Sequence, residues 1–187
     1  MNTQINIFTG HFTDNIEKKN PGVSFGAVIV RDSEVITSDE FSLTDSYLTL
    51  WLKSVLGILK QLEEVSVQRK LVPNLEMSVQ VFAAHKNVIA ISRKLQDIFD
   101  ELKRHKTDVT KLLHVKLRRA NRSFYDYHDT MVEIVTTLLA IHANTSTFRF
   151  QFASLPKTNP HMRTAQQHAE IVHGEANQAS NVTSLFK

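Results

Sequence analysis

The sequence predicts one α/β domain built in the order βββαβαβα, and three observations predict it. Apolar runs of strand length, separated by turn residues, fill the first forty positions. Three longer segments carry apolar residues at helical spacing. Strand-like runs recur between those segments, the alternation expected of α/β chains. At 187 residues the chain suits one domain with an appendage and is short for two.

The elements follow in order. Ile5, Ile7 and Thr9 alternate with Asn6 and Phe8, which predicts a strand over 4–9 that ends at Gly10 and His11 with no acid there. Asn20-Pro21-Gly22 is a turn, because proline fixes one dihedral and glycine accepts a positive one. The runs VSFGAVIV, 23–30, and EVITSDEF, 34–41, are joined by three residues and read as a hairpin. Thr44 or Asp45 can cap a helix over about 45–64, whose leucines and Trp51 cover nearly its whole circumference and so predict a central, buried element. MSVQVFAA, 77–84, is a fourth strand, with the continuous apolar end of a strand buried on both faces. Ile91, Leu95, Ile98, Phe99 and Leu102 mark a helix over about 88–105. KLLHVKLR, 111–118, reads as the fifth strand, and Met131, Ile134, Val135, Leu138 and Leu139 place the last helix at about 123–143. TFRFQF, 147–152, alternates as a short extra strand. From Pro156 the chain is rich in Asn, Gln, Ser, Thr and His, which offers too little apolar surface to offset ordering entropy. The expected division is a domain at 1–153 and a flexible C-terminal tail at 154–187, with a short helix near 163–173.

Composition excludes several classes. Without cysteine there are no disulfides and no thiolate metal sites, which fits a reducing compartment. The chain opens into a strand pattern rather than a basic segment followed by an apolar run, and the longest apolar stretch, MVEIVTTLLAI, is about half a membrane span and contains Glu133. The expectation is an intracellular protein, cytoplasmic or nucleoid-associated, in which the sequons at Asn144 and Asn181 are chance matches. Neither a nucleophile elbow, a helical His-Glu pair nor a Gly-rich phosphate loop is present, so those enzyme classes have no positive signal.

The order of elements, together with five short motifs, resembles the ribonuclease H-like family. INIFTG is similar to that family's first strand, which ends in Thr-Asp-Gly; NPG…FGAVIV resembles its Asn-Pro-Gly turn and second strand. LTDSYLTLWLKSVLGILKQL resembles the first helix, VQVFAAHKNVI the fourth strand and its Asp-Ser junction. HVKLRRANRSFYDYHDTMVEI resembles the fifth strand's end, the loop after it and a final helix that opens Asn-x-x-Ala-Asp. The resemblance covers about 4–145 and implies a mixed five-stranded sheet flanked by helices. It also implies an enzyme that cleaves RNA in RNA–DNA hybrids with two divalent cations held by a carboxylate cluster. Hard cations need such oxygen ligands in tight geometry.

This chain departs from that pattern at the acids. The first-strand aspartate falls on Gly10, the helix glutamate on Thr49, and the fourth-strand aspartate on Ala84, or on His85 in a shifted register. Asp129, or Asp126 in another register, is the one surviving carboxylate, and one carboxylate does not hold two magnesium ions. The expectation is a pseudo-nuclease with no catalytic residues, no metal and no cofactor. His11, His85 and His128 with Asp129 could in principle hold a transition metal, but loop-edge histidines are more often solvated or hydrogen-bonded. An active hydrolase using Asp14, Asp45, Asp126 and Asp129 is disfavoured, since Asp14 lies beyond a strand end and Asp45 before a helix start.

The charge is only +3 overall, yet residues 86–122 hold eleven basic residues against four acidic ones, a net +7. Intrahelical ion pairs account for the charges at 93–106. They do not account for KLRRANR, 116–122, which contains no acid. Lys86, Lys116, Arg118, Arg119 and Arg122 are therefore the expected phosphate contacts. Tyr125, beside Phe124 and Tyr127, is the expected stacking residue for an unpaired base, with a place in the core as its ordinary alternative. The expected partner is RNA or an RNA–DNA hybrid, without a membrane. The alternative is a protein–protein module in which a sheet edge or the tail recruits a protein partner.

Overall fold

The computed structural model describes residues 2–13, 22–68, 74–104, 111, 115 and 126–185, with side chains of the last helix described to residue 176. Among the described residues, five strands and four helices of defined extent follow one another as β1 (Asn2–Thr13), β2 (Val23–Arg31), β3 (Glu34–Ser42), α1 (Tyr47–Gln68), β4 (Glu76–Ala83), α2 (Lys86–Arg104), α3 (His128–Asn144), β5 (Thr147–Ser154) and α4 (Pro160–Leu185). The strands form one mixed sheet in the order β3-β2-β1-β4-β5. β1, β2 and β3 pair antiparallel, whereas β4 lies parallel to both β1 and β5.

Alternation along the strands sorts the two faces of the sheet. Ile5 and Ile7 of β1, Phe25, Ala27 and Ile29 of β2, and Val79 and Val81 of β4 pack with the buried residues of α1, α2 and α3. Phe8 and Val28 point the other way and pack with Met162 and Ala165 of α4. α1 buries Leu48, Leu50, Trp51, Leu52, Val55, Leu56, Ile58 and Leu59, the central position that its all-round apolar surface predicts. Its N-cap is Ser46 rather than Thr44 or Asp45: Ser46 Oγ accepts from the Thr49 amide at 3.2 Å, while Asp45 pairs with Lys53.

The C-terminal half corrects two expectations. Lys111 and Val115 are helical, and the remainder of 111–118 lies outside the described residues apart from these two. The strand beside β4 is instead Thr147–Ser154, in register from Glu76↔Thr147 to Ala83↔Ser154. Its Phe148 and Phe150 alternate inward and meet Phe99 of α2 edge-on. A parallel neighbour of β4 needs a crossover of a dozen or more residues, and α2 and α3 supply it.

The expected flexible tail is a helix docked on the sheet. Met162, Ala165, Ala169 and His173 are buried and recur every three to four residues, so α4 has a continuous inward face with two alanines at its middle. Asn159 caps it, accepting from the amides of His161 and Met162. Ser24 Oγ donates to Ala169 O at 2.5 Å, and His173 sits edge-on to Phe12 and Phe41. The domain therefore extends through α4.

Candidate functional site

Gly10 and Gly26 face each other across the β1–β2 ladder, and α4 crosses directly over the pair. A Cβ on Gly10 would lie 2.5 Å from Gln166 N, 2.6 Å from Gln166 Cα and 2.7 Å from Ala165 C. On Gly26 it would meet Ala165 O and Ala169 N. These are backbone atoms, which cannot rotate aside as a side chain would. The first-strand position is thus filled by helix backbone, and the absence of a side chain is what lets α4 approach so closely.

The other three positions are scattered in their engagements. Thr49 lies in the first turn of α1, its hydroxyl 2.9 Å from the capping Ser46 Oγ. Ala84 follows β4 and packs beside the Phe8–Met162 cluster. Asp129 is the second residue of α3, fully exposed, with its carboxylate 3.1 Å from Nδ1 of the adjacent His128. Because β5 is 147–154, the segment entering the last helix is Asn159-Pro160-His161-Met162-Arg163. Among the described residues no group of three or more histidines or carboxylates could hold a metal ion.

What the strand ends do bring together is a cluster of rings. His11 near the end of β1 stacks on Tyr47 at the start of α1, with centroids 5.1 Å apart. His85, between β4 and α2, meets His11 edge-on at 5.1 Å and Tyr47 at 4.5 Å. His85 Nδ1 accepts the Asn87 amide at 3.2 Å, so its proton is on Nε2 and the Tyr47 hydroxyl, 3.1 Å away, donates to Nδ1. Burial pushes His11 down to about 4, and the charges of His85 and Lys157 act in the same direction. His85 is lowered by burial, then by Lys157 and Lys86, and burial raises Tyr47. At neutral pH the three rings are uncharged, flanked by the ammonium groups of Lys86 and Lys157. Stacking surface, an imidazole N–H donor and two cations suit a base and its phosphate.

Below this cluster Trp51 Nε1 donates to Thr9 Oγ1 at 3.0 Å, and Thr9 Oγ1 donates to Phe82 O at 2.8 Å, which ties α1 to β1 and β4. Of the expected nucleic-acid contacts, Lys86 is exposed at the N-terminus of α2, beside His85. Lys116, Arg118, Arg119, Arg122 and Tyr125 lie outside the described residues. Tyr47 and Lys157 are functional candidates that the sequence reading does not single out. Tyr47 carries no motif, and Lys157 falls in the stretch expected to be a tail.

No sequence-family model matches the chain, and no curated protein does. Among solved structures, LC9-RNase H1, a type 1 RNase H with the type 2 active-site motif, superposes with a TM-score of 0.48 at 8% identity, covering 94% of this chain and 74% of that one. The prototype foamy virus protease-reverse transcriptase gives 0.46 at 10% identity, covering 89% of this chain and 20% of that chain. A foamy viral protease-reverse transcriptase in complex with an RNA/DNA hybrid gives 0.48 at 6%, covering 91% and 20%. The chain thus spans only a fifth of the two viral proteins' length. The fold assignment rests on topology instead: a mixed sheet in the order β3-β2-β1-β4-β5, three helices on one face and α4 on the other, is a ribonuclease H-like fold.

Proposed function

We propose that this chain is a degenerate, non-catalytic ribonuclease H-like protein that binds RNA or another nucleic acid. One observation carries the reading: α4 backbone occupies the space above Gly10 where a first-strand carboxylate would have to stand. Two-metal hydrolysis needs that ligand, since each cation must be clamped by several oxygens. Thr49 and Ala84 supply no carboxylate at two further positions, and the exposed Asp129, beside His128, is a single carboxylate that cannot hold two cations. Binding is supported by what stands there instead, the neutral ring cluster of His11, Tyr47 and His85 between Lys86 and Lys157. The basic segment 86–122 starts at this cluster, at the N-terminus of α2.

The test is a binding titration against single-stranded RNA, duplex DNA and RNA–DNA hybrid at two salt concentrations. The reading requires affinity that falls steeply with salt, and a weaker salt dependence once Lys86 and Lys157 are both replaced by alanine. Salt-insensitive binding, or none to any of the three, removes it.

A further inference from the structure

The two edges of the sheet are treated differently. An exposed strand edge is a row of unpaired N–H and C=O groups that can template another chain, and proteins usually blunt it. On β5 the blunting is explicit. Gln96 of α2 donates from Nε2 to Phe150 O at 3.1 Å and accepts the Phe152 amide at Oε1 at 3.0 Å, standing where a sixth strand would bond. Lys103 Nζ donates to Phe148 O at 3.3 Å. β5 is closed by side chains of its own domain.

β3 has no such cover among the described residues. It is nine residues long and regularly paired with β2 from Arg31↔Glu34 to Val23↔Ser42. The two-residue connector Asp32-Ser33 makes Arg31 and Glu34 a hydrogen-bonded pair, so bonding alternates from there. The backbone groups of Glu34, Ile36, Ser38 and Glu40 then face β2, and those of Val35, Thr37 and Asp39 face outward. Neither a proline nor a lysine interrupts the strand, and its apolar residues Val35 and Ile36 are 61% and 45% exposed.

We infer that β3 is a docking edge for an extended segment of a protein partner, which adds as a sixth, backbone-paired strand and carries basic residues alternating with apolar ones. Charge chooses the occupant. The edge carries Glu34, Asp39 and Glu40 and no basic side chain within the strand; Glu34 is paired with Arg31, whereas Asp39, 3.9 Å from His168 Nδ1, and Glu40, accepting from Ser54 Oγ, have no lysine or arginine partner among the described residues. A second copy of this chain is disfavoured for the same reason: antiparallel self-pairing centred on Thr37 sets Glu34 opposite Glu40. Alternate residues of β3 face opposite sides of the sheet, so a strand whose basic residues lie on the side of Glu34 and Glu40 and whose aliphatic residues lie on the side of Val35 satisfies both the ladder and the charges.

The probe is a synthetic peptide of alternating lysine and valine, long enough to pair with residues 35–41, titrated by fluorescence anisotropy against the full chain. Binding should be lost at least tenfold in Thr37→Pro, which removes an outward N–H that β2 does not use. It should fall as much when alternate peptide nitrogens are methylated, a change that leaves every protein residue intact and so tests the ladder even if Thr37→Pro fails to fold. A peptide of alternating glutamate and valine should not bind. Absence of lysine–valine binding, or binding that methylation leaves unchanged, overturns the inference. So does a concentration-dependent dimer of the chain that Thr37→Pro abolishes, since the edge would then be self-complementary.

Discussion

Replacing Gly10 by alanine probes the contact on which the reading of the site depends. The added Cβ falls 2.5–2.7 Å from three backbone atoms of Ala165 and Gln166, against the 3.4 Å or more of ordinary van der Waals contact. Relief requires α4 to lift by most of an ångström. That strains the packing of Met162, Ala165 and Ala169, the Ser24–Ala169 hydrogen bond, and the bond from the His11 amide to Gln166 Oε1 at 3.3 Å. Overpacking of this kind costs about 1–3 kcal/mol, and the backbone nature of the obstacle puts Gly10→Ala at the upper end. For a chain of this size each kcal/mol moves the melting temperature by roughly 2–4 °C, so a fall of roughly 5–10 °C is expected by circular dichroism. Gly10→Asp should be worse, because it adds a carboxylate against the helix backbone with no cation to pair with. Gly57→Ala is the control: nothing lies within 4 Å of its Cβ, and in the interior of α1 the change should stabilise by about 0.5–1 kcal/mol. A Gly10→Ala protein as stable as the parent would show that α4 does not close the first-strand position, and the argument against a carboxylate there would fail.

Further outcomes follow from the same packing and charges. Truncation after Ser154 removes α4 and uncovers Phe8 and Val28, so the shortened chain should lose cooperative thermal unfolding rather than melt as the parent does. Because the His11 ring is held at about 4 in the folded chain and titrates near 6.5 when unfolded, the unfolded state binds more protons between those values. Stability should therefore be full above about pH 7 and fall on acidification through that window, by at most about 3 kcal/mol; in His11→Asn the slope should flatten. Thr9→Val strands the buried indole N–H of Trp51 and should cost about 1–3 kcal/mol in chemical denaturation. Replacing Arg118 and Arg119 by alanine should reduce the salt slope of RNA binding by roughly one to two units with an unchanged melting temperature; Lys103 and Arg104 should matter less, with Asp100 and Glu101 nearby in the sequence.

The first four strands and the helices at α1 and α2 are legible because their cores use large aliphatic residues at unambiguous period: Ile5 and Ile7, the leucines around Trp51, Ile91 with Leu95 and Ile98. α4 escapes the same reading for a physical reason. A helix lying over two facing glycines needs small residues inward, and Ala165 and Ala169 carry almost no hydrophobic signal in a stretch full of Asn, Gln and His. Missing α4 displaces the fifth strand as well. Once 154–187 reads as a tail, the apolar run at 111–118 becomes the natural candidate and TFRFQF an accessory, whereas Phe148 and Phe150 are core. At the site, the proposed absence of acids at Gly10, Thr49 and Ala84 rests on residues at strand and helix ends that the sequence itself displays. The ring cluster is not legible there: His11, Tyr47 and His85 are far apart in sequence and meet only because β1 and β4 are parallel neighbours. Lys157 joins them from the turn between β5 and α4.

The most direct test of the central claim is a single electrophoresis experiment on an end-labelled RNA–DNA hybrid incubated with the protein and manganese at low salt, resolved both natively and after denaturation. The account predicts a hybrid that is retarded on the native gel and intact on the denaturing one. Cleavage products that require the metal and co-purify with the folded protein would contradict it.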